Sequence, residues 1–462
     1  MKRKKMTKKA RREQRIRTHL KQVNLFAAGI DIGSRSHFVS VPEELDENPV
    51  REFAGFTGDL HQMADWLVEI GIQTVAMEST GVYWIPVYEI LEARGLEVLL
   101  VDARHVKNVP GRKTDVLDCQ WLQQLHTYGL LRGAFRPQDE MVALRSYLRQ
   151  REGLIASASD SIRHMQKALR QMNLLLDNVV SDITGKTGLA IIRASLAGER
   201  DGKQLARLRD KRCRSDERTI SGSLEGHYRE EHLFALGQAV ERYDFYQQQV
   251  DACEGVIEGH MRQIEGDNDD DIPPASKPKG HSKNGFSFDV RSELYRMTGV
   301  DLTEINGMSE NNVLTIVSET GTDMTAWPSE KHFASWLSLS PGNKITGGKS
   351  LSGKTKPSAN RAAAAFRLAA YSLANSKTAL GAYYRRMRNR VGAPKAITAT
   401  AHKLARLFYR LLKTQTPFVD IGQDYYEQQY RERATRNLQK RAAALGYQLI
   451  PESASDPQES MC

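Results

Sequence analysis

Hydrophobic and polar positions in the first third of the chain predict a sheet that is followed by strands and helices in turn. The apolar run of residues 27–32 ends at Gly33, as buried strands often do, and the alternating residues 36–41 predict its hairpin partner. Three more strands are predicted, at residues 50–56, 74–77 and 97–101. Helical spacing predicts three helices, at residues 59–70, 82–93 and 114–125.

Three antiparallel strands followed by alternating strands and helices predict an α/β domain of the RNase H-like (RuvC-like) type. Four carboxylates fall at strand ends and at a helix start, where α/β sheets present ligands: Asp31, Glu78, Asp115 and Asp118. Asp115 and Asp118 share one helical face because they are three residues apart.

Converging hard oxygen donors suit Mg²⁺, and two such ions activate a nucleophile and stabilise a leaving oxygen. We therefore predict a two-ion Mg²⁺ site at these four acids. The alternative for each acid taken singly is structural. Asp31 would then cap a turn, and Asp115 and Asp118 would be favourable charges at a helix start.

The middle of the chain is predicted to be helical. Apolar residues recur at helical or heptad-like spacing over residues 138–180, which predicts one or two long helices and is compatible with a coiled coil. Core packing is the default interpretation of this stripe, and oligomerisation through it is a hypothesis. Residues 191–212 and 231–264 predict further helices. Residues 207–218 are crowded with Arg and Lys and form either a segment facing nucleic acid or a solvated face.

Signals of turns, caps and helices continue after residue 300. Residues 302–321 resemble a helix-hairpin-helix element with a turn at Gly307 and a cap at Ser309, or else contain an ordinary capped helix. Ser329 is the candidate cap of the next helix. The isolated His332 and His402 are interpreted as structural.

A small-residue, Lys-rich loop is predicted at residues 336–356, before Ala-rich helices at residues 360–374 and 395–413. Gly-rich loops let the backbone approach phosphate closely, and hydroxyls there are nucleophiles if a base or metal activates them. The alternative is a loop that contacts phosphate and performs no chemistry.

The amino-acid composition indicates which binding partners and which cellular compartment to expect. Lys and Arg number 66 against 56 Asp and Glu, for a formal net charge of +10 in 462 residues, which favours a polyanionic partner. The four cysteines are scattered without CxxC spacing, so no zinc site or disulfide framework is indicated and a cytoplasmic setting is expected. No apolar run suits a bilayer span or a signal peptide, so we expect no membrane partner.

These patterns divide the chain into six predicted segments. They are a basic tail at residues 1–24, an RNase H-like catalytic domain at 25–135, a helical or coiled-coil region at 136–265, a charged and Pro-rich linker at 266–286, a C-terminal helical domain at 287–425 and a tail at 426–462. The predicted class is therefore α/β plus α.

The four acids lie in three short motifs, GIDIG at residues 29–33, MESTG at 77–81 and GRKTDVLD at 111–118. These motifs resemble the signatures of the DEDD transposases of the IS-one-ten type, and are most similar to those of the IS-one-eleven-eleven group. The resemblance places the family's catalytic and metal-binding tetrad on Asp31, Glu78, Asp115 and Asp118. It also implies a DNA recombinase of an insertion sequence, in which the metal-bound acids activate a hydroxyl that attacks DNA.

Residues 300–415 resemble the family's second domain, which supplies a catalytic Ser in a Ser-Gly context before an Arg-bearing helix. Spacing to that helix favours Thr346, which precedes Gly347 and Gly348. Residue identity favours Ser352, which precedes Gly353, and Ser350 is a third option. Thr346 ranks slightly ahead of Ser352, although the extra methyl of Thr crowds an attack on phosphorus.

The resemblance also implies partners. They are the DNA of the element ends and of the target, a structured guide RNA, and further copies of the chain in a dimer or tetramer, acting at the bacterial nucleoid. The candidate nucleic-acid-binding residues are Arg104, Lys107, Arg112, Lys113, Lys344, Lys349, Lys354, Arg361 and Arg367. Two alternatives are a RuvC-like junction nuclease that uses water and a non-catalytic protein that binds nucleic acid.

Overall fold

The computed structural model describes residues 21–101, 115–266, 272–273 and 283–450. The chain divides into two compact units, Met1–Arg136 and Pro137–Cys462. Most of the predicted basic tail and of the predicted linker, and the basic cluster before Asp115, lie outside the described residues. Within the described ranges, no helix is long and apolar enough to cross a membrane.

The first unit is built on a mixed five-stranded sheet. Its strands are β1 (Ala27–Ile32), β2 (Ser36–Ser40), β3 (Val50–Ala54), β4 (Thr74–Glu78) and β5 (Glu97–Val101). Their order across the sheet is β3-β2-β1-β4-β5, in which β1 to β3 pair antiparallel, whereas β4 is parallel to β1 and β5 to β4. This is the RNase H-like arrangement that the hydrophobic pattern predicted.

Three helices flank this sheet, and the two sheet faces have different environments. They are α1 (Thr57–Glu69), α2 (Trp84–Ala93) and α3 (Asp115–Thr127). On one face, Ile30 of β1 packs in the main core with Leu67 of α1 and Leu91 of α2. On the other face, Leu122 of α3 packs with Ala76 of β4. Because side chains alternate along a strand, every second residue of β1 faces α3.

The second unit is largely helical. Its first helices are α4 (Asp139–Gln171), α5 (Leu176–Val179), α6 (Lys186–Leu196), α7 (Gly202–Ala206), α8 (Glu217–Ser223) and α9 (Glu230–Gln263). They are followed by α10 (Val290–Thr298), α11 (Glu310–Thr320), α12 (Glu330–Trp336), α13 (Arg361–Ser372), α14 (Ala379–Val391), α15 (Ala393–Thr414) and α16 (Gln423–Ala444).

The long helices α4 and α9 pack against each other in antiparallel directions. The His260 ring, near the end of α9, lies 2.8 Å from the Glu140 carbonyl oxygen at the start of α4. At the other end of the pair, Met165 of α4 and Leu236 of α9 belong to one core. The apolar stripe that predicted a coiled coil in α4 is thus covered by a helix of the same chain.

A buried ion pair joins the middle of these helices to the segment that begins at residue 283. The guanidinium of Arg151 lies 2.6 Å from a carboxylate oxygen of Glu254, and both side chains are almost wholly buried. Arg151 also donates to the carbonyls of Asn284 and Gly285 and stacks on the ring of Phe286. Loss of one charge would leave its partner buried and uncompensated, which typically costs about 3–5 kcal/mol.

An aromatic cluster forms the core of the C-terminal helices. The ring of Phe333 of α12 contacts Trp327 and the rings of Phe366 and Phe408, which lie on α13 and α15. The hydroxyl of Tyr409 donates to the carbonyl of Trp327 at 2.8 Å. This core supports the segment between α12 and α13, in which the candidate hydroxyls lie.

The predicted loop at residues 336–356 is wrong in part, because the structure has a hairpin there. Its strands are β6 (Lys344–Thr346) and β7 (Lys349–Ser352), which pair antiparallel. Gly347 and Gly348 connect them with φ values of 55° and 75°. Two glycines with positive φ suit the tight turn that joins two twisted strands.

Two other predictions need correction. The helix predicted over residues 191–212 is broken, because α6 ends at Leu196 and the next residues include Gly198 with φ of 106°. Ser329 occupies the cap position of α12, but its hydroxyl bonds the His332 ring at 2.8 Å and makes no capping hydrogen bond. By contrast, Ser309 does cap α11, accepting from the Asn312 backbone N–H at 3.2 Å.

Helix α16 runs through the boundary that the sequence placed after residue 425. None of its side chains is buried. It contacts α14 through cation–π interactions, in one of which the Arg386 guanidinium lies 3.4 Å from the centroid of the Tyr430 ring.

Candidate catalytic site

Two of the four predicted acids are brought side by side by the pairing of β1 with β4. The parallel register pairs Ile30 with Met77, so Asp31 and Glu78 occupy the next positions along the two strands. In a parallel pair, residues in register point to the same face of the sheet. That face is the one covered by α3, because Glu78 is two residues beyond Ala76.

The other two acids reach this edge because α3 packs unusually close to β1. A Cβ atom on Gly29 would lie 2.3 Å from the Gln123 nitrogen and 2.4 Å from the Cys119 oxygen, both backbone atoms of α3. Only glycine therefore permits this contact. Asp115 and Asp118 lie in the first turn of α3. Gly29 is two residues before Asp31 on the same face, so it sets the distance between the strand acid and the helix acids.

Electrostatics show that three of the acids act on Asp31. The pKa of Asp31 is raised to about 6, first by burial and then by the negative charges of Asp115, Asp118 and Glu78. Like charges that converge in a partly buried site disfavour ionisation. A pKa perturbed by named neighbours in this way is a feature of functional sites, although structural clusters also produce it.

The donor chemistry of this edge fits a hard divalent cation. Within the described residues, no three His, Cys, Asp or Glu side chains are drawn together as a ready-made ligand set. Carboxylate oxygens are nevertheless the ligands that hard divalent cations prefer. A bound cation would offset the repulsion between the four carboxylates and so allow them to come closer together. The nearby Cys119 is fully buried, and burial followed by the charge of Asp31 raises the pKa of its thiol to about 12.

The hydroxyl candidates lie in the hairpin of the second unit, and they differ in position. Thr346 pairs with Lys349 immediately beside the Gly347–Gly348 turn, and both are exposed. Ser350 pairs with Ile345. Ser352 pairs with Lys344 across a register shift, and its hydroxyl accepts from the Lys354 backbone N–H at 3.3 Å.

The basic candidates are divided between described and undescribed parts of the chain. Arg104, Lys107, Arg112 and Lys113 lie outside the described residues, so their role stays a prediction. Lys349 and Lys354 are exposed on the hairpin and directly after it. Arg361 opens α13, where its guanidinium pairs with Glu152 of α4, and Arg367 is half-buried in the same helix.

Some features of the site were missed from the sequence. The role of Gly29 was not recognised, although a glycine inside a strand pattern often marks a close backbone approach. The hairpin was also missed, although its two adjacent glycines between short polar–apolar stretches are a recognised turn signal. The pairing of Arg361 with Glu152 joins residues far apart in sequence and had no local signal.

Comparison with known families agrees with this geometry. Residues 28–174 match the family model for DEDD transposases of IS110 elements, which is described as "Transposase". Residues 301–385 match a second model, described as "Transposase IS116/IS110/IS902 family". The two matches together cover half of the chain, and a search of curated proteins gives no match. The first match contains all four acids, and the second contains the hairpin. The chain belongs to the IS110 family of DEDD transposases.

Proposed function

We propose that this transposase breaks and rejoins DNA by using its four acids to hold two Mg²⁺ ions and a hairpin hydroxyl as the nucleophile. The observation that carries the proposal is the effect of the charges of Glu78, Asp115 and Asp118 on the pKa of Asp31 at one sheet edge. DEDD nucleases typically use divalent metals, which stabilise charge on attacking and leaving oxygens. The two ions, the hydroxyl and assignment to the IS-one-eleven-eleven group are parts of the proposal.

The chemistry would be a transesterification. The hydroxyl oxygen forms a bond to phosphorus while the bond from phosphorus to a deoxyribose oxygen breaks. The hydroxyl loses its proton to a solvent or carboxylate acceptor, and the departing sugar oxygen takes one up. Because one phosphate ester replaces another, rejoining requires no nucleotide cofactor. The protein's contribution is to position the reacting groups and stabilise charge.

The hairpin supplies the nucleophile candidates in the order Thr346, Ser352 and Ser350. The exposed Lys349 lies opposite Thr346, where its ammonium would attract a phosphate of the DNA backbone. Lys344 and Lys354, at the base of the hairpin, and Arg361 and Arg367 of α13 would contact neighbouring phosphates.

We further propose that a structured RNA selects the DNA and that two or more copies of the chain act together. The excess of Lys and Arg supports a polyanionic partner. Sequencing RNA that copurifies with the protein tests the guide. Strand transfer that persists after nuclease removal of all RNA would contradict it, and the mass of the active complex in solution tests the copy number.

The Asp118→Ala variant tests whether this acid is needed for DNA breakage and not for DNA binding. We expect DNA breakage to fall by about a thousandfold or more, since a metal ligand is lost, while DNA affinity changes by less than about threefold because Lys and Arg supply most of it. Asp59→Ala is the matched control, since Asp59 is also a first-turn acid of a helix in the same unit. A fall in filter binding as large as the fall in breakage would contradict the assignment.

Replacing the hydroxyls tests the nucleophile. Either Thr346→Ala or Ser352→Ala should abolish a covalent protein–DNA adduct on denaturing gels, and the matching Thr346→Ser variant should keep it. Thr355→Ala, just beyond the hairpin, serves as the control. If DNA is cut while no adduct forms under turnover, water is the nucleophile and the enzyme works as a junction nuclease. If the Ala variants of Thr346, Ser350 and Ser352 all stay fully active, the hairpin assignment is wrong.

A further inference from the structure

A basic segment of the second unit lies outside both family matches. Residues 207–214, which we call the basic loop, join α7 to the residues before α8. They contain five cations and one acid: Arg207, Arg209, Lys211, Arg212 and Arg214 against Asp210. The family models cover residues 28–174 and 301–385, so neither assigns a role to this loop.

Four of the five cations of the basic loop are exposed to solvent. The side chain of Arg212 is 87% exposed, and Arg207, Lys211 and Arg214 are exposed as well. Lys186 at the start of α6 adds a side chain that is 77% exposed. Long cationic side chains lose free energy when they crowd together without counter-charge. The surface is thus suited to an anionic partner.

The loop is nevertheless ordered by its own hydrogen bonds. The Asp210 backbone N–H donates to the Thr187 hydroxyl at 2.9 Å, and the Ser215 hydroxyl donates to the Val179 carbonyl at 2.7 Å. Arg209 donates to the Cys213 carbonyl at 3.1 Å. These bonds fix the backbone, so a partner would meet cations that are already positioned and would pay little ordering entropy.

The single acid of the loop holds its neighbours in place. The Asp210 carboxylate accepts from the Arg212 backbone at 3.0 Å, and it pairs with Arg212 and Lys186 at 3.1 Å each. These contacts keep the pKa of Asp210 well below its usual range, chiefly through hydrogen bonds from Arg212. Asp210 therefore bridges Arg212 and Lys186, and the surface stays positive overall because the loop has five cations and one acid.

Clefts border the basic loop on two sides. One, of about 650 Å³, is lined by Lys186, Arg212 and Arg214 together with hydroxyls such as those of Thr187 and Ser215. The other, of about 450 Å³, is lined by Lys203, Arg207 and Arg218. Cations and hydroxyls are the groups that contact phosphate and sugar in protein–DNA complexes.

We propose that the basic loop binds the phosphate backbone of double-stranded DNA, outside the catalytic site. DNA is the polyanion on which a transposase acts, so the proposal does not require an additional binding partner. A duplex is favoured over single strands because proteins hold single strands on exposed aromatic rings. The only Phe, Tyr or Trp in residues 175–229 is Tyr228, whose ring is half-buried and covered by the Arg200 guanidinium at 4.7 Å.

The test removes four cations and leaves in place the hydrogen bonds of Asp210 to Thr187, Ser215 to Val179 and Arg209 to Cys213, which fix the backbone of the loop. The full-length variant carries Lys186→Gln, Arg207→Gln, Arg212→Gln and Arg214→Gln, with Arg209 and Asp210 unchanged. Its control carries Arg163→Gln, Arg170→Gln, Arg229→Gln and Arg262→Gln, which remove the same charge from exposed cations that each pair with an acid of their own. A third variant replaces Arg207, Arg212 and Arg214 by Lys and so keeps the charge.

Binding is measured by fluorescence anisotropy over a range of salt concentrations, with random-sequence duplex DNA, single-stranded DNA and a hairpin RNA as probes. We expect the first variant to lose about tenfold or more in duplex affinity and its log–log salt slope to shrink by about 2 to 4. The charge-keeping variant should bind the duplex nearly normally. Equal losses in the control variant, or a loss confined to RNA or single strands, would overturn the proposal.

The outcome does not depend on the catalytic assignment, because only binding is measured. The Asp118→Ala variant should bind the duplex as the unmodified protein does. If it does and the four-cation variant does too, the basic loop is a solvated surface while the catalytic proposal survives.

Discussion

The acid-bearing sheet edge of the first unit and the hydroxyl-bearing hairpin of the second unit are built in opposite ways. The acids lie on neighbouring central strands of a five-stranded sheet and on a helix packed into Gly29. The hairpin has strands of three and four residues, and its Ile345 and Leu351 are 64% and 68% exposed. A lone two-stranded hairpin is only marginally stable in water.

This difference shows where each half of the proposed chemistry obtains its geometry. Folding of the first unit fixes the acids, because moving them would disrupt a packed core. The hairpin is closed at its base by the Gly342 backbone N–H, which donates to the Lys354 carbonyl at 3.0 Å. Its exposed apolar and Lys side chains leave contacts to be made with other molecules. The acid edge is a rigid scaffold, and the hairpin is the adaptable part.

The largest expected effect comes from adding one methyl group to the rigid part. Gly29→Ala would place a Cβ 2.3 Å from a backbone atom of α3, so the helix that bears Asp115 and Asp118 must move. We expect a loss of about 3 kcal/mol in the free energy of unfolding of the first unit and loss of DNA breakage. Urea unfolding followed by labelling of the buried Cys119 thiol measures the change.

Gly353→Ala is the matched control in the hairpin region. Its Cβ would meet nothing closer than the Asn343 side-chain oxygen at 3.9 Å. We expect a change within about 0.5 kcal/mol. If the two substitutions have equal effects, the close packing of α3 on β1 does not set the position of the acids.

The same contrast explains how much of the molecule was predictable. The strands β1 to β5 could be predicted because buried strands need apolar runs. The approximate place of the acids then followed from strand ends. Their convergence depends on the close packing at Gly29, which requires knowing which helix covers which face.

The hairpin was not predictable by the same rule, because exposed strands need no apolar pattern. Residues 344–352 contain only two large apolar side chains, and both are exposed. Helix capping is another feature that local sequence predicts only in part. Ser309 and Ser329 have similar local signals, yet only Ser309 caps its helix, because the Ser329 hydroxyl bonds His332 instead.

A smaller effect is expected from straining the turn of the hairpin. Gly347 and Gly348 have positive φ and open space around the missing Cβ, so the double Ala variant carries backbone strain of about 1 kcal/mol per residue without a clash. We expect a several-fold fall in adduct formation with little change in the melting temperature. Asn tolerates positive φ better, so the double Asn variant should recover activity.

Gly446→Ala provides the control for strain alone. Gly446 has φ of 81°, and a Cβ added there would have no neighbouring atom within 4 Å, but this residue lies far along the chain after α16. This variant should keep full activity. If it reduced adduct formation as much as the turn variant does, the hairpin would have no special role in the reaction.

The smallest expected effect is a pH response of the acid-bearing unit that the hairpin itself cannot share, since residues 344–354 contain no His, Asp or Glu. Burial lowers the pKa of His126, whose ring lies 2.8 Å from the Thr74 hydroxyl, and likewise that of His37. The unfolded chain therefore binds protons that the folded unit does not. Stability should fall as the pH drops below about 6.5, by at most about 1.4 kcal/mol per pH unit for each histidine.

Asp31 acts in the opposite direction, because a pKa raised to about 6 makes the folded unit take up a proton more readily than the unfolded chain. Its protonation should offset part of the loss once the pH falls below about 6. His126→Gln keeps a partner for Thr74 but cannot titrate, so the stability difference between it and the unmodified protein isolates the histidine. That difference, measured by urea unfolding between about pH 5 and 7.5, should grow in favour of the variant as the pH falls. A difference that stays constant with pH would show that His126 is not held neutral by the fold.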